Sequence, residues 1–423
     1  MAELAPNGRP TALFIAPIMP SDCGNGLAMR AGILLDTYAK RFAVDLAVVP
    51  VAGGAKDISS FIETRVRRAV VLPVAARDTH YALIDSIADP EARLQAFRQY
   101  RRPSITATLT AELQRAMLAF AGDASYQLVH VSRLYLASLA SSWMNVADSA
   151  PYLVLDCDED DVSTYRRFGR LHRRWGRQCQ ADWVEAEADA FKALGMHYLP
   201  RFALLLAASA GEARVLRARA REPAIMVVPN VAPLSAGSSV QLPRMKERRN
   251  VLFVGNMGYL PNIDAAMWFA NRIWPRIRSS APFPLRFVIG GYGAPREVTN
   301  LARQPDIVLT GAFDDAEALY RRAAVAVVPI RAGGGTRIKL LEAAKYGVPI
   351  VATHFGAEGS GFRSGRELLL ADTEREFAES CRKLLTDRRL ASLLVAGARR
   401  RLYRHYNVAR SAKRLLDRVV RQE

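Results

Sequence analysis

A glycine-rich segment followed by cations and a carboxylate is the part of this 423-residue chain best suited to chemistry. The segment contains Gly333, Gly334, Gly335, Thr336, Arg337, Lys339 and Glu342. Consecutive glycines allow a tight turn and bring backbone N–H groups close to a bound anion. A predicted strand ends directly before them, and a helix is predicted to begin near Thr336. The start of a helix adds further N–H groups and a partial positive charge.

Two cations in the first turn of that helix favour an anion site. Arg337 and Lys339 lie where the helix dipole disfavours positive charge, so local stability does not explain their position. A bound diphosphate would explain it. Thr336 is the predicted N-cap. Glu342 is predicted to be exposed, where it either forms a salt bridge or accepts hydrogen bonds from paired ribose hydroxyls. A flexible loop before a surface helix is the alternative interpretation of the segment.

A second glycine turn follows the first predicted strand. It contains Gly24, Asn25 and Gly26, and Arg30 lies one turn inside the next helix. This turn is either a simple connection or a second segment that approaches the same anion. The glycine triplet lacks the GxxxxGK[ST] spacing of a P-loop, and no GxGxxG fingerprint follows the first strand. The lack of the GxGxxG fingerprint disfavours an oxidoreductase that binds a nicotinamide dinucleotide.

Other ionisable residues lie near two predicted strand ends. His130 ends a short strand and either reaches the site or is a core histidine. Arg133, in the loop that follows, is a comparable candidate. The acidic segment 156–161 has the clustered carboxylates that hard cations favour. We expect this segment to cap the next helix instead, through Asp161 or Ser163, and we predict no metal site.

The formal net charge of +18 comes mostly from arginine spread along the whole chain. Two runs are denser: Arg166, Arg167, Arg170, Arg173, Arg174 and Arg177, and then Arg399, Arg400, Arg401 and Arg404. The first run is either a solvated surface, partly neutralised by the acidic segment, or a surface for anionic lipid or a phosphorylated substrate. No recognisable nucleic-acid module accompanies the charge, so we expect no nucleic-acid partner.

Short apolar runs alternate with helical patterns, which indicates parallel sheets covered on both faces. The predicted strands lie at 12–17, 44–49, 69–72, 128–131, 152–155, 224–228, 251–254, 285–289, 307–309, 325–328 and 349–352. A long helical region extends from about Glu374 to Val420, with a break near Asn407. The fold class is therefore α/β, with doubly wound sheets.

A change in composition between Val231 and Asn250 predicts a linker, because Pro, Ser, Gly and charged residues dominate there. We expect a Rossmann-like domain over residues 1–235 and a second one over residues 236–400. A C-terminal helix over residues 401–423 is expected to pack back on the first domain. Ligands of doubly wound sheets bind outside the carboxyl ends of the strands. Both domains would then present their loops to a cleft between them.

The four cysteines are widely spaced and show neither a CxxC pair nor a Cys/His cluster, which fits a reducing compartment. The first apolar segment is too short to cross a bilayer and contains prolines. Without a signal peptide or a membrane helix, we expect a cytoplasmic protein, with peripheral contact to the inner face of an anionic membrane as the alternative.

The motifs of the second half resemble those of a known family. The segments 333–343 and 347–352 are similar to the donor-site motif of retaining GT-B glycosyltransferases of the large group called glycosyltransferase family four. Supporting matches are Phe253–Met257 with Pro261 and Asn262, Gly311–Asp315, and Val228–Asn230. The resemblance covers most of residues 250–360 closely and the N-terminal half loosely. It implies two Rossmann-like domains and a nucleotide-diphosphate sugar as donor substrate, without a resident cofactor.

The resemblance also implies roles for individual residues. Arg337 and Lys339 would bind the diphosphate, and Glu342 would bind ribose hydroxyls. The backbone between Gly311 and Phe313 would contact the base. The turn Gly24–Gly26 would close over the donor.

The remaining candidates follow from the same resemblance. Gly255 and Asn256 belong to the donor-binding set, together with the glycine triplet and Thr336. His130 would contact the transferred sugar or the acceptor. Arg30 and Arg133 are the candidates on the acceptor side, and the acceptor itself is a glycan, a lipid-linked sugar or a small molecule.

Two positions depart from the family pattern. Many members carry a glutamate eight residues before the position of Glu342, where this chain has Gly334. Many also carry an Arg or Lys shortly after the strand that ends before Gly255, where this chain has Asn256 and Met257. The contacts to the transferred sugar and part of the phosphate clamp must therefore differ from those of such members.

The implied reaction is glycosyl transfer with retention of the anomeric configuration. Cations fixed at the leaving oxygens stabilise the charge that develops on the diphosphate, so no metal ion is expected. In the family that this chain resembles, retention is attributed to attack on the same face, with the leaving phosphate helping to take the acceptor proton, so no protein nucleophile is expected. Three alternatives remain: a nucleotide-sugar-binding protein without catalysis, an α/β oxidoreductase, and a basic module that binds a membrane or nucleic acid.

Overall fold

Two parallel β-sheets organise the chain, one in each of two units. The computed structural model describes residues 8–24, 26–53, 57–74, 77–144, 150–230, 248–313, 316–334 and 338–420. The first unit comprises Met1–Pro229 and Val408–Glu423, and the second comprises Asn230–Asn407. The expected domain boundary at 235/236 and most of the expected linker lie outside the described residues.

The first unit contains a seven-stranded sheet in which all neighbouring strands are parallel. Its strands are β1 (Thr11–Ala16), β2 (Ala43–Val48), β3 (Arg68–Val71), β4 (Leu128–Ser132), β5 (Tyr152–Asp158), β6 (Leu204–Ala207) and β7 (Ala224–Val227). They lie in the order β3-β2-β1-β4-β5-β6-β7. The order reverses between β1 and β4, which is the kind of position where doubly wound sheets bind ligands.

Helices cover both faces of this sheet. They are α1 (Gly26–Tyr38), α2 (Ser60–Glu63), α3 (Thr79–Ser86), α4 (Pro90–Tyr100), α5 (Ala111–Ala121), α6 (Ser141–Met144), α7 (Asp161–Arg174), α8 (Gln178–Tyr198) and α9 (Ala210–Arg219). Local sequence signals set several of their starts. Helix α4, for example, begins with Pro90 after the N-cap Asp89, whose side chain accepts a hydrogen bond from the Ala92 amide.

The second unit repeats the architecture with six parallel strands. These are β8 (Asn250–Val254), β9 (Arg286–Gly290), β10 (Ile307–Gly311), β11 (Ala323–Val328), β12 (Ile350–Ala352) and β13 (Leu369–Leu370), in the order β10-β9-β8-β11-β12-β13. Its helices are α10 (Leu260–Trp268), α11 (Trp274–Ser280), α12 (Arg296–Thr299), α13 (Ala316–Arg321), α14 (Ile338–Lys345), α15 (Glu374–Thr386) and α16 (Arg388–His405). Here the order reverses between β8 and β11.

Alternation along the strands builds the core of the first unit. In β1, Leu13 and Ile15 join one apolar cluster, whereas Ala12, Phe14 and Ala16 join the cluster on the opposite face. All six residues of β1 are buried, as are all six of β11 in the second unit. Strands that are apolar on both faces are what a sheet between two helical layers requires.

The chain ends in the first unit. Helix α17 (Val408–Val420) places Leu415 and Val419 in the same apolar cluster as Leu34 and Leu35 of α1. The amphipathic pattern of α17 explains this, because its apolar stripe needs a partner surface. The return to the first unit begins at Val408, whereas residues 401–405 still belong to α16 of the second unit.

Two strands are absent from the sequence prediction. Strand β6 consists of leucines and an alanine, residue types that also favour helices, and it follows closely on the long helix α8. Strand β13 has only two residues, which is too short to show a period. Both strands are fixed by pairing with a neighbour, β6 with β5 and β13 with β12.

At Gly32, helix α1 lies very close to the loop after β1. A Cβ atom added there would lie 2.1 Å from the carbonyl oxygen of Ser21, whereas one added at Gly211 in α9 would have only an ordinary contact. We therefore predict that Gly32→Ala destabilises the protein by about 1–3 kcal/mol through steric strain. Gly211→Ala should leave stability unchanged or raise it by up to about 1 kcal/mol. Urea denaturation of the two variants measures the difference, and equal stabilities would contradict the close approach.

Candidate functional site

Loops at the carboxyl ends of β8, β9 and β10 are tied together by backbone hydrogen bonds. The Gly255 amide donates to the Gly290 oxygen at 2.9 Å, and the Gly291 amide donates to the Gly311 oxygen at 3.0 Å. Gly291 has a φ of +143°, and a Cβ atom there would lie 1.7 Å from the Gly255 oxygen. Only glycine allows the loops after β8 and β9 to come this close.

The glycine loop, residues 331–334 after β11, packs against the start of α10. Gly333 has a φ of +104°, and a Cβ atom there would lie 2.9 Å from the Tyr259 hydroxyl and 3.0 Å from Pro261 Cγ. Gly333 is buried and Gly334 is half-buried. Gly335, Thr336 and Arg337, which the sequence also singles out, lie outside the described residues. The close contact of Gly333 fixes where the chain leaves β11.

Arg331 anchors this loop. Its guanidinium forms two hydrogen bonds to the buried Asp264 carboxylate, at 2.9 and 2.6 Å, and lies 4.6 Å from the ring centre of Trp268. Both partners are on α10, so the ion pair holds the loop to that helix. Sequence reasoning gave Arg331 no role, and nothing in the local pattern identifies its partner.

Lys339 lies in the first turn of α14 and points to the loop after β8. Its ammonium donates to Asn262 Oδ1 at 2.9 Å, and the amide of Asn262 donates to the Asn256 backbone oxygen at 2.8 Å. Asn256 is exposed, and its side chain accepts a hydrogen bond from the Gly258 amide. A chain of polar contacts therefore joins the first turn of α14 to the loop after β8.

Glu342 lies one turn farther along α14 and is half-buried, not exposed as the sequence suggests. Its Oε2 accepts a hydrogen bond of 3.0 Å from the hydroxyl of the buried Tyr320. Burial raises the pKa of Glu342, while the Tyr320 hydroxyl and the Lys339 charge oppose that shift. The carboxylate is thus held in one orientation beside β11.

The loop after β10 forms a further part of the same site. Gly311 ends that strand with a φ of +69° and is exposed. The half-buried Phe313 ring lies against Gly290, where an added Cβ atom would be 3.2 Å from Phe313 Cε1. Together with the loops after β8 and β11 and the first turn of α14, this segment forms the candidate site of the second unit, called the glycine-loop site below.

The glycine turn of the first unit is described in part. Gly24 is exposed with a φ of +91°, and Gly26 begins α1. Asn25 lies outside the described residues. The turn follows β1, beside the point where the first sheet reverses its strand order.

Arg30 is not open to a ligand, in contrast to its expected place on the acceptor side. Its guanidinium forms two hydrogen bonds to Asp156, at 2.7 and 2.6 Å, and a third to the Val228 oxygen at 2.7 Å. Burial alone would lower the pKa of Arg30, but the charges of Asp156 and Asp158 raise it by more than burial lowers it. The net pKa lies above the ordinary value, so the guanidinium stays charged. Arg30 is a buried structural cation that holds α1 to the end of β5.

Arg133 has the same kind of role. It is buried, and its guanidinium contacts Glu159 at 3.1 Å and also Asp161. Burial raises the pKa of Asp161 to about 7, and the Arg133 charge opposes that rise. Arg133, the second candidate on the acceptor side, therefore pairs with the acidic segment.

The acidic segment 156–161 is neutralised by arginines from elsewhere in the first unit. Besides Arg30 and Arg133, Arg219 of α9 pairs with Asp160. The expected partners differ, since Arg166 and Arg173 contact Asp189 and Glu185 of α8. The N-cap of α7 is Asp160, which accepts from the Ser163 amide, in place of the expected Asp161 or Ser163. Among the residues described, no group of three His, Cys, Asp or Glu side chains has the arrangement of a metal site.

His130 lies in the core and does not end its strand. It is fully buried and stacks on Phe14 with ring centres 4.4 Å apart. Its two ring nitrogens lie 3.2 Å from the Tyr38 hydroxyl and 3.1 Å from Ser132 Oγ. The structure thus shows the core histidine that was the alternative to a reactive one. The sequence pattern of β4 cannot distinguish these two.

A separate cavity of about 750 Å³ opens at the carboxyl ends of β2 and β3 in the first unit. Its lining is mostly apolar and includes Val51, Leu72 and Ile105. The polar residues of the lining are Arg77, Tyr81, Ser104 and Thr108. Sequence reasoning did not identify it. No described helix of the protein is both long and apolar enough to cross a membrane.

His130 yields a prediction on pH. Burial lowers its pKa to about 3, against an ordinary value of 6.5. Between these values the unfolded chain binds a proton that the folded chain does not, so the stability contributed by His130 is complete above pH 6.5 and is lost as pH falls. We predict that His130→Gln lowers the melting temperature most near pH 7 and progressively less toward pH 4.

The exposed His80 of α3 provides the matched control, since His80→Gln should change the melting temperature little at any pH. A catalytic histidine typically contributes 10²–10⁴-fold to rate. We expect turnover of folded His130→Gln protein to stay within about tenfold of the original. If the folded His130→Gln protein loses more turnover than this, His130 takes part in the reaction.

Comparison with known proteins finds a family match in the second unit. Residues 248–387 match the model of the family described as Glycosyl transferases group 1. This range includes every described residue of the glycine-loop site. A curated relative from Klebsiella pneumoniae, an uncharacterized 44.6 kDa protein in the cps region, is 27% identical over 138 residues. That match covers 31% of this chain and 35% of the relative, or about a third of its length.

Solved structures share the fold over nearly the whole chain. Sucrose-phosphate synthase from Thermosynechococcus elongatus superposes with a TM-score of 0.65 at 15% identity, covering 98% of both chains. HepE from Anabaena, in complex with UDP and glucose, gives a TM-score of 0.63 at 12% identity and covers 97% of this chain and 99% of its own. The prediction of two Rossmann-like sheets is confirmed. The chain therefore has the fold of GT-B glycosyltransferases, and residues 248–387 of its second unit match the Glycosyl transferases group 1 family.

Proposed function

We propose that this protein transfers a sugar from a nucleotide-diphosphate sugar to an acceptor, with retention of the anomeric configuration and without a metal ion. The observation that carries the proposal is the placement of Lys339 and Glu342. They lie one turn apart on α14, each held by a partner, beside the glycine loop. The group 1 domain match over the same residues and the fold support it.

The diphosphate of the donor would bind at the first turn of α14. Lys339 supplies an ammonium group, and the glycine loop allows phosphate oxygens to approach the backbone. The helix start adds a partial positive charge. Arg337, outside the described residues, is proposed as a second cation on the strength of the sequence alone.

The nucleoside would extend from the diphosphate along the carboxyl ends of the strands, toward the loop after β10. An ionised Glu342 accepts hydrogen bonds from two vicinal ribose hydroxyls, and Tyr320 orients the carboxylate for them. The backbone from Gly311 to Phe313 would contact the base. A uridine nucleotide is our first choice, since HepE was solved with UDP.

The reaction follows from the charges at this site. The bond between the anomeric carbon and the donor phosphate oxygen breaks, and its electron pair goes to the leaving diphosphate. Lys339 stabilises that charge where it develops, which is commonly the largest contribution to catalysis. The acceptor oxygen attacks the same face of the sugar, and its proton passes to a leaving phosphate oxygen. No protein nucleophile takes part.

The acceptor would bind in the first unit. We assign it to the cavity at the ends of β2 and β3, because ligands of parallel sheets bind at the carboxyl ends of strands. Its apolar lining with Arg77 and Tyr81 suits an acceptor that has both apolar and polar parts. The acceptor is a glycan, a lipid-linked sugar or a small molecule, and we propose a cytoplasmic site of action, at or near the inner face of the membrane.

Gly334 favours a second candidate function, a nucleotide-sugar-binding protein without catalysis. Many family members have a glutamate at this position that contacts the transferred sugar. Incubation of the purified protein with radiolabelled nucleotide sugars distinguishes the two functions. Transfer to an acceptor, or slow donor hydrolysis, supports the enzyme. Donor binding without turnover on any acceptor supports the binding protein.

Lys339→Ala provides the kinetic test of the phosphate role. Loss of one such charge-stabilising group lowers kcat by about 10²–10³-fold. Folding should be kept, because the side chain is only half-buried. Lys383→Ala is the matched control, since Lys383 forms an exposed ion pair with Glu379 on α15. If both variants keep the original kcat, Lys339 does not stabilise the leaving group.

Glu342→Gln tests the ribose contact. The amide oxygen still accepts from Tyr320, but the hydrogen bonds to an ionised carboxylate are lost. Such bonds contribute about 1.5–3 kcal/mol, so the donor KM should rise about 10- to 100-fold. The exposed Glu379 on α15 gives the control variant Glu379→Gln, for which we expect an unchanged KM. An unchanged KM in Glu342→Gln would remove the carboxylate from donor binding.

Chelation tests metal independence. Lys339 would supply the charge that a divalent ion supplies in metal-dependent transferases. We predict that excess EDTA leaves the initial rate within about twofold, whereas a metal-assisted site would lose several kcal/mol of transition-state stabilisation. Loss of activity that Mg²⁺ or Mn²⁺ restores would contradict the prediction.

A further inference from the structure

A second strongly basic site lies in the second unit, away from the glycine-loop site. It is an open cavity of about 800 Å³ between α16 and the segment that connects β12 to β13. We call it the arginine pocket, after the five arginines that line it: Arg363, Arg366, Arg400, Arg401 and Arg404. It shares no residue with the glycine-loop site. Strand β13 is an edge strand of the sheet, with β12 between it and β11.

The charges of the pocket are unbalanced. Glu367 is the only carboxylate in the lining, and its Oε2 already accepts a hydrogen bond of 2.8 Å from the Arg363 backbone amide. Within the described part of the chain, none of the five arginine side chains forms an ion pair. By contrast, Arg331 in the same unit is paired with Asp264. Five guanidinium groups facing one carboxylate raise the electrostatic potential of the cavity strongly.

The frame of the pocket is closely packed. A Cβ atom added to Gly397 of α16 would lie 2.0 Å from the Arg366 backbone oxygen, so helix and segment are in direct contact there. The Tyr406 hydroxyl, just after α16, donates to the Ser360 oxygen at 2.7 Å. The two contacts fix the segment along the helix. The backbone that carries the arginines is therefore closely packed.

The Arg401 side chain lies against the segment that connects β12 to β13. A Cβ atom added to Gly361, which has a φ of +66°, would lie 2.2 Å from the Arg401 guanidinium. Its Nε is buried and has no hydrogen-bond partner among the described residues.

We propose that the arginine pocket binds a phosphate-bearing group. Guanidinium forks match phosphate oxygens in two-point contacts, and a phosphomonoester or pyrophosphate carries more charge in a small volume than a carboxylate does. Residues 393, 397, 400 and 404 follow the helical repeat, so Arg400 and Arg404 point to one side of α16. The proposal is independent of the glycosyl transfer proposed above.

Two sources offer this chemistry, the headgroup of an anionic lipid and a soluble phosphate ester. Leu393 in the lining is 60% exposed, and Tyr403 on the same helix is 53% exposed. Exposed apolar groups beside arginines suit a lipid surface, whereas the volume of the cavity suits a soluble ligand equally well. The experiment therefore has one arm for each source.

The test compares charge-matched variants of the full chain. Arg400→Gln/Arg404→Gln changes exposed residues of the pocket, and Arg388→Gln/Arg389→Gln removes the same charge from exposed positions of α16 outside it. The first arm is calorimetric titration with inorganic pyrophosphate at physiological ionic strength. The second arm is co-sedimentation with vesicles of phosphatidylglycerol and phosphatidylcholine. Unchanged melting temperatures verify folding. Both double variants are also made in the Lys339→Ala background, which removes pyrophosphate binding at the glycine-loop site.

In the Lys339→Ala background, we expect the pocket variant to lose at least about tenfold in affinity while the control variant keeps it, because the charge-assisted hydrogen bonds of two guanidinium groups are lost. Loss in the pyrophosphate arm identifies a soluble phosphate ester, and loss in the vesicle arm identifies a lipid headgroup. Equal behaviour of pocket and control variants in both arms would overturn the proposal. Pyrophosphate binding lost only in Lys339→Ala, or pocket-dependent binding of duplex DNA alone, would overturn it as well.

Discussion

The glycine-loop site depends on a cation held where its own helix disfavours it. Lys339 lies in the first turn of α14, where the helix dipole makes positive charge unfavourable by about 0.3–1 kcal/mol. Asn262 keeps the ammonium group there through a hydrogen bond of 2.9 Å, and it is itself hydrogen-bonded to the loop after β8. Such an arrangement is useful when an anion arrives beside the glycine loop. Binding of a diphosphate would turn an unfavourable position into a favourable one.

The loops around Lys339 are rigid because glycine allows them to touch. Gly291 and Gly333 have no room for a side chain, and each brings together segments that follow different strands. The ion pair of Arg331 with Asp264 then fixes the exit from β11. Groups that are already in position do not have to reorganise when charge develops, and this is how electrostatic catalysis gains its strength. Glu342 is likewise held in place, by the Tyr320 hydroxyl.

The sequence predicts most of the fold and part of the site. Apolar runs identify every strand except β6 and β13, which depend on pairing with neighbours. The order of strand, glycines and helix places Lys339 and Glu342 correctly on α14. The pattern cannot show that Arg30 is buried, because its partner Asp156 is 126 positions away in the chain. Asn262 and Tyr320 become site residues only through tertiary contacts, for the same reason.

A crystal structure of the protein with UDP tests the central claim most directly. We predict the diphosphate beside the glycine loop, with a phosphate oxygen within hydrogen-bond distance of Lys339 Nζ and the ribose hydroxyls on the Glu342 carboxylate. A nucleotide bound elsewhere, for instance in the arginine pocket, with Lys339 still engaged only by protein groups, would contradict the account.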